Sequence, residues 1–284
     1  MATKPKQVKK RRWLDILMSL LLIAGVAIAF YPFVSDKINQ LLDQQLISYY
    51  QQQANQLDQQ ERQKIADQQK TANQQLAREG LNPGSDPFSG ARTSKKTATS
   101  SDYYQEHTIG VIQIPKIKVK LPIFDQTTEL FLQKGATLLA GTSFPTGEVA
   151  THSVISAHRG LPEAKLFTDL PQLELGDLFY FETHQQTHAY QVDQIKVILP
   201  TETDSLQIDE DATLITLMTC TPYMINSHRL LVRGHRIAYE PTMQKSLTTA
   251  NNHRRLTQLL TFLTAGLVLL VVSIFLVKKW RYKS

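Results

Sequence analysis

The sequence predicts a mainly β domain flanked by helices, and three features carry that prediction. Between residues 108 and 240, short runs rich in Val, Ile, Thr, Tyr and Phe alternate with turn residues. That pattern belongs to a β-barrel or a β-sandwich, and periodicity does not choose between them. Upstream, residues 36–78 are glutamine-rich and contain neither proline nor glycine, which favours helix. Near the two ends lie predominantly apolar runs, residues 13–34 and 256–277. Each has roughly the twenty residues that cross a bilayer core.

The 284 residues are 42% hydrophobic and carry a net charge of +6. That length allows one domain of ordinary size plus appendages. A single cysteine excludes an intramolecular disulfide framework and a multi-cysteine zinc site. Eight histidines are present, none in HExxH spacing, so no metal and no cofactor is expected. Much of the positive charge abuts the apolar runs, as Lys9-Lys10-Arg11-Arg12 and Lys278-Lys279-Trp280-Arg281. A membrane flank fits that placement and a nucleic-acid partner does not. Basic tails at 1–12 and 278–284, with Trp13 and Trp280 at the boundaries, predict both termini in the cytoplasm and everything between them outside. His253, Arg254 and Arg255, on the outer side of the second run, pull the other way. Ala27-Ile28-Ala29 offers a signal-peptide cleavage site as the alternative to an anchor. The first run is long for a signal peptide and continues past that site, which favours the anchor.

In residues 35–80, Leu42, Leu46, Tyr49, Tyr50, Gln53 and Leu57 recur at helical spacing. They predict one or two amphipathic helices packed on the domain along a thin stripe. Sustained heptads for a coiled coil are missing. Residues 81–106 break the pattern with Pro83, Gly84, Asp86-Pro87-Phe88, Gly90 and a Ser/Thr/Lys tract, a linker composition. A bare linker seldom needs a phenylalanine.

The β domain is expected over 107–243. Strands are predicted at 109–114 and 119–124, punctuated by Pro115 and Pro122. Residues 131–139 hold at most one helical turn, and 141–145 form a turn. A strand at 153–157 should deliver His158 at its end, and 164–170 fit a short helix. Alternation predicts half-buried strands at 178–181 and 189–192, followed by strands at 195–199, 213–219 and 229–239.

The chain's only cysteine closes the run 213–219, and Arg229 opens the next one, with turn residues Pro222, Asn226 and Ser227 between. A hairpin with a symmetric loop would set Cys220 and Arg229 opposite each other on one face. A guanidinium there stabilises a thiolate and can stabilise an oxyanion. The bland alternative is a buried small cysteine and a solvated arginine. His158 adds the acid–base partner that a cysteine nucleophile needs.

Three stretches, His158-Arg159-Gly160-Leu161-Pro162, Thr219-Cys220-Thr221-Pro222-Tyr223 and His228-Arg229-Leu230-Leu231-Val232-Arg233-Gly234, resemble the signature stretches of the sortases, closest to the pilus-assembling class C. The family often has glycine where Met224 and Glu148 stand. The resemblance implies a closed eight-stranded barrel. It implies Cys220 as nucleophile, His158 as acid–base group and Arg229 at the oxyanion or substrate carbonyl. Asp86, Pro87 and Phe88 resemble the class C lid tripeptide, with the acid meeting Arg229 and the ring shielding the thiol. The implied reaction is a transpeptidation. Cys220 attacks the Thr–Gly bond of an LPxTG-like sorting signal on a pilin subunit, and a pilin lysine amine resolves the thioester. The setting implied is the surface of a Gram-positive cell, with a monomeric domain on the cell membrane and no nucleic-acid partner.

Three rivals remain in view. A housekeeping sortase that anchors proteins to cell-wall precursor is opposed by the lid tripeptide and the second apolar run. Papain-like chemistry is opposed by the order His158, Cys220, Arg229. An inert barrel serving as an adhesin would carry an unreactive cysteine.

Overall fold

A computed structural model describes residues 6–80, 83, 86–88, 101–183 and 186–281. The chain divides into two units, one of residues 1–38 and 252–284, the other of 39–251.

The first unit is helical. Helix α1 runs Lys6–Gln56 and α5 runs Pro241–Arg281, so both apolar runs fall inside helices. Among the described residues, no helix is long and apolar enough to cross a membrane. The two expected spans are therefore not supported by that measure, and several side chains of each run lie outside the described residues.

The second unit is built on eight strands: β1 Thr108–Ile114, β2 Val119–Phe124, β3 Ala136–Leu138, β4 Thr151–Ser156, β5 Leu178–Thr183, β6 Gln186–Ile198, β7 Thr213–Thr221 and β8 His228–Ile237. They close into a barrel in the order β1-β2-β3-β4-β7-β8-β6-β5, with β5 returning to β1. The β2–β3 and β4–β7 pairs are parallel and the rest antiparallel. Closure leaves no sheet edge to protect. Ile112, Ile155, Leu217, Val232, Phe179 and Tyr190 are among the residues that fill the interior. The expected strands at 189–192 and 195–199 are one strand, β6, whose register shifts between Val192 and Gln194.

Of the helical expectations, one is met in its two-helix form and two need correction. Residues 36–78 form two helices, because α2, Gln59–Glu79, restarts at a capping box. Asp58 Oδ1 accepts from the Glu61 amide at 2.8 Å, and Glu61 Oε2 accepts from the Asp58 amide at 3.3 Å. The buried stripe of α1 is Asp43, Ile47 and Tyr50, and Leu42 is exposed. Register against β1 decides it, since Ile47 and Tyr50 pack on Val111 and the Tyr50 hydroxyl donates to the Ile109 carbonyl at 2.8 Å. Residues 164–170 form turns and lead into a 3₁₀ turn at Leu170–Gln172, because Leu166 takes φ +39°, outside the right-handed helical region.

Two short helices also emerge, α3 at Ser101–Glu106 inside the expected linker and α4 at Glu129–Leu132. Tyr103 of α3 stacks on Phe131 of α4 at 5.3 Å, and Phe131 stacks on Phe124 of β2 at 4.5 Å. The rest of 81–100, apart from residues 83 and 86–88, lies outside the described residues.

Candidate active site

Parity along the strands builds the site. In β4, β7 and β8 the inward residues Ile155, Leu217 and Val232 lie side by side, and the next row, Ser156, Met218 and Leu231, faces outward. One step further on that outer face, Cys220 of β7 lies directly opposite Arg229 of β8, as the hairpin reading expects. His158 stands two residues beyond the end of β4, not at its end. It is nonetheless brought beside β7. The Ala157 amide donates to the Met218 carbonyl at 3.1 Å, and the Thr219 hydroxyl donates to the Ala157 carbonyl at 2.7 Å.

The loop between β7 and β8 bends through two left-handed positions, where glycine is the favoured residue. Met224 has φ +67° and Asn226 has φ +60°, so two side-chain-bearing residues occupy the left-handed region. Gly160 sits at φ +84°, and a Cβ there would come within 2.7 Å of the Tyr223 ring. Its glycine is required twice over, by conformation and by space. Glu148 sits in another loop and forms an ion pair with Lys70 of α2 at 2.9 Å.

Asp86-Pro87-Phe88 reaches this face from far upstream. Asp86 grips Arg229 with both oxygens, Nε to Oδ1 at 2.7 Å and Nη2 to Oδ2 at 2.6 Å. The pair is buried, and Arg229 Nη1 also donates to the Asn226 and His228 carbonyls, each at 2.8 Å. Phe88 packs on the outward apolar row, which includes Val154, Met218 and Leu231. Its ring centroid is 5.2 Å from the Arg229 guanidinium carbon and 5.5 Å from the His158 ring. The ring therefore contacts both groups that accompany the thiol.

This cover has an electrostatic consequence. Burial pushes the Cys220 thiol up to about 11 from an ordinary 9.0; Asp86 adds to the rise, while Arg229 and Arg159 oppose it. Burial likewise works against the Arg229 charge, but the Asp86 carboxylate, and Cys220 when ionised, outweigh it and the guanidinium is held more firmly protonated. In the covered state the cysteine is therefore a thiol, a poor nucleophile.

Two residues near the site escape sequence reasoning. Arg159 donates to the Thr221 hydroxyl at 3.1 Å and lies 5.6 Å from the Tyr223 ring centroid. Glu129 places Oε1 3.5 Å from His158 Nε2. Arg159 could have been flagged by its place beside His158. Glu129 could not, since only the barrel's closure brings β3's approach beside β4. No group of three or more His, Cys, Asp or Glu able to hold a metal is found among the described residues.

A family model described as a sortase domain matches residues 112–237. Among solved structures, sortase C1 of Streptococcus agalactiae is 40% identical with a TM-score of 0.62, covering 70% of this chain and 97% of that one. Sortase C-1 of Streptococcus pneumoniae is 43% identical with a TM-score of 0.58, covering 69% of this chain and all of that one. Sortase A of Bacillus anthracis is 28% identical over 131 residues, 46% of this chain, and the match spans only 60% of that relative's length.

Proposed function

The chain belongs to the sortases, a family of cysteine transpeptidases, and we propose that within it this protein is a class C enzyme that polymerises pilin subunits. The observation that carries the reading is the direct opposition of Cys220 and Arg229 under a tripeptide that grips the arginine. Similarity to the streptococcal C1 enzymes over nearly their whole length supports the class.

In this mechanism Asp86 and Phe88 first leave the site, and Cys220 gives its proton to His158 and becomes a thiolate beside Arg229. The thiolate attacks the Thr carbonyl of an LPxTG-like signal. Arg229 holds the developing oxyanion. As the C–N bond breaks, His158 gives its proton to the departing amine. A pilin lysine amine then attacks the thioester, gives a proton to His158, and the thiolate leaves. Incubation of the full chain with a sorting-signal peptide should trap a thioester on Cys220 by mass spectrometry, and addition of pilin should give covalent ladders. Transfer only to a cell-wall precursor amine would assign the housekeeping role instead.

The same reading puts the protein in the cell membrane with its barrel outside and both termini in the cytoplasm. Its support is the apolar composition of 13–34 and 256–277 and the exposure of Leu21, Ile28, Leu263 and Leu267 among others on those helices. Protease added to intact protoplasts should digest the barrel and spare both tails; a C-terminal tag reachable from outside would overturn the topology.

A further inference from the structure

We propose that Glu129 is a positioning residue for His158, orienting its imidazole and favouring the protonated form required at the departing amine. The proposal rests on the transpeptidase reading above. Its geometric basis is the 3.5 Å approach of Glu129 Oε1 to His158 Nε2.

Glu129 is well fixed for this task. It opens α4, whose preceding Thr128 accepts the Phe131 amide at its hydroxyl, 3.3 Å away. Phe131 and Leu132 of that turn are fully buried, and the Phe131 ring is stacked on both Phe124 and Tyr103. Gln133 Nε2 donates to Glu129 Oε1 at 3.0 Å, which leaves the charge in place and restrains the carboxylate. On the other side, His158 is pinned through its carbonyl, which accepts the Phe167 amide at 3.1 Å.

The other charged groups around His158 have different engagements. Asp86, on the covering tripeptide, is committed to Arg229 of β8 by both oxygens. Arg159, next in the chain, turns to Thr221 and Tyr223. Lys165 and Asp169, in the following turns, pair with each other. Cys220 of β7 is the group the imidazole must serve. Glu129 is thus the carboxylate that faces His158 without an arginine in its fork, among the described residues. A carboxylate within about 4 Å of an imidazole stabilises the imidazolium. The carboxylate's partial exposure tempers the effect.

The proton balance makes the role specific. His158 gives one proton to the departing amine when the C–N bond breaks, and regains one from the lysine amine as the new bond forms. A carboxylate that holds the charged form keeps more of His158 protonated when the amine must leave, and it does not alter ground-state peptide binding. Its signature is therefore in kcat and in the imidazole titration, with KM little changed.

The test uses the full chain in detergent with ring-labelled histidine, in a Cys220→Ala background so that the imidazole titrates alone. The His158 resonance is assigned by its loss in His158→Ala. Glu129→Gln should lower the His158 midpoint by roughly one pH unit, and Glu129→Asp should restore part of it. With Cys220 intact, Glu129→Gln should lower kcat for a sorting peptide by about tenfold, the scale of a one-unit loss, with KM and melting temperature close to those of the parent. An unchanged midpoint in Glu129→Gln overturns the proposal. A fall in KM affinity or melting temperature equal to the loss of kcat, with no titration shift, likewise reduces Glu129 to a packing residue. Failure of the parent chain to process any sorting peptide would instead overturn the transpeptidase reading, while the titration would still judge Glu129.

Discussion

The two faces of β4, β7 and β8 use the same backbone and the same register to opposite ends. Inward, Ile155, Leu217 and Val232 are sealed by the barrel's own far wall. Outward, Val154, Met218 and Leu231 are equally apolar and nearly as buried, but their cover includes Phe88, a residue from outside the barrel. The inner seal can be lost only by unfolding. Part of the outer one depends on one aromatic ring and one ion pair, which can part while every strand stays paired. That difference separates the residues that make the fold from those proposed to make the chemistry.

Substitutions on the two faces should therefore fail in different ways. The largest effects belong outside. Cys220→Ala should abolish thioester formation, and His158→Ala should cost about 10²–10⁴-fold in kcat/KM. Arg229→Lys keeps the charge but loses the planar fork and should also impair strongly. All three should keep a cooperative melt, read by circular dichroism. Leu217→Ala, one row away on the inner face, should do the reverse. It should lower stability by about 2–5 kcal/mol in urea titrations, with near-parental turnover per folded molecule. A catalytic loss in Leu217→Ala larger than its loss of folded protein would mean that the faces are not separable.

How much of this was legible in the sequence follows from the range of the forces involved. Strand positions and the Cys220–Arg229 opposition are local, set by β-branched runs and a short loop, and they could be read directly. Closure of the barrel is not local, and only resemblance supplied it. The stripe of α1 was misplaced by about one residue, since Leu42 and Leu46 look as apolar as Ile47 and only the contact with Val111 chooses. The interruption at Asp58 was written in its capping box but carries no proline or glycine to announce it. Glu129 lay between the strand expected at 119–124 and the ambiguous stretch 131–139, where no element was expected, and its partner is 29 positions away.

The outer cover can be tested without touching the barrel. Asp86→Ala with Phe88→Ala removes the carboxylate that raises the Cys220 thiol and part of the burial that raises it more. The sign is therefore downward, from about 11 toward the ordinary 9.0. Each unit is tenfold in thiolate below the midpoint, so alkylation of Cys220 near pH 8 should quicken by roughly ten- to a hundredfold. Added access to the thiol acts in the same direction. Melting temperature should fall only slightly, because no strand loses a partner. If the alkylation rate is unchanged, Asp86-Pro87-Phe88 does not act as a lid, and access to the thiol is controlled elsewhere.

The smallest predicted effect lies inside, and it asks whether acid attacks the inner face first. His188 shares the inward side of β6 with Tyr190 and pairs with Phe181 across β5. Its Nε2 is buried with no hydrogen-bond partner among the described residues, and Gly147 packs against its ring so closely that a Cβ there would come within 2.9 Å. Burial, followed by the charge of Arg236, depresses its pKa to about 4 from the ordinary 6.5. A folded-state value below the unfolded one means the unfolded chain takes up the proton first as pH falls. The stabilising contribution is then complete above about pH 6.5 and is lost progressively between 6.5 and 4. Because the ring borders a cleft open to water, the loss should be about 1–2 kcal/mol, less than the full shift would give. His152, buried and also depressed, contributes in the same direction, so the test must isolate one ring. His188→Leu removes the titration and keeps an apolar inward side chain. Urea midpoints of parent and variant, each measured at pH 7 and pH 4.5, should show the parent losing more stability on acidification by about that amount, with sorting-peptide turnover at pH 7 unaltered. Equal losses in both proteins would mean that His188 is solvated in the folded state, and that acid enters by another route.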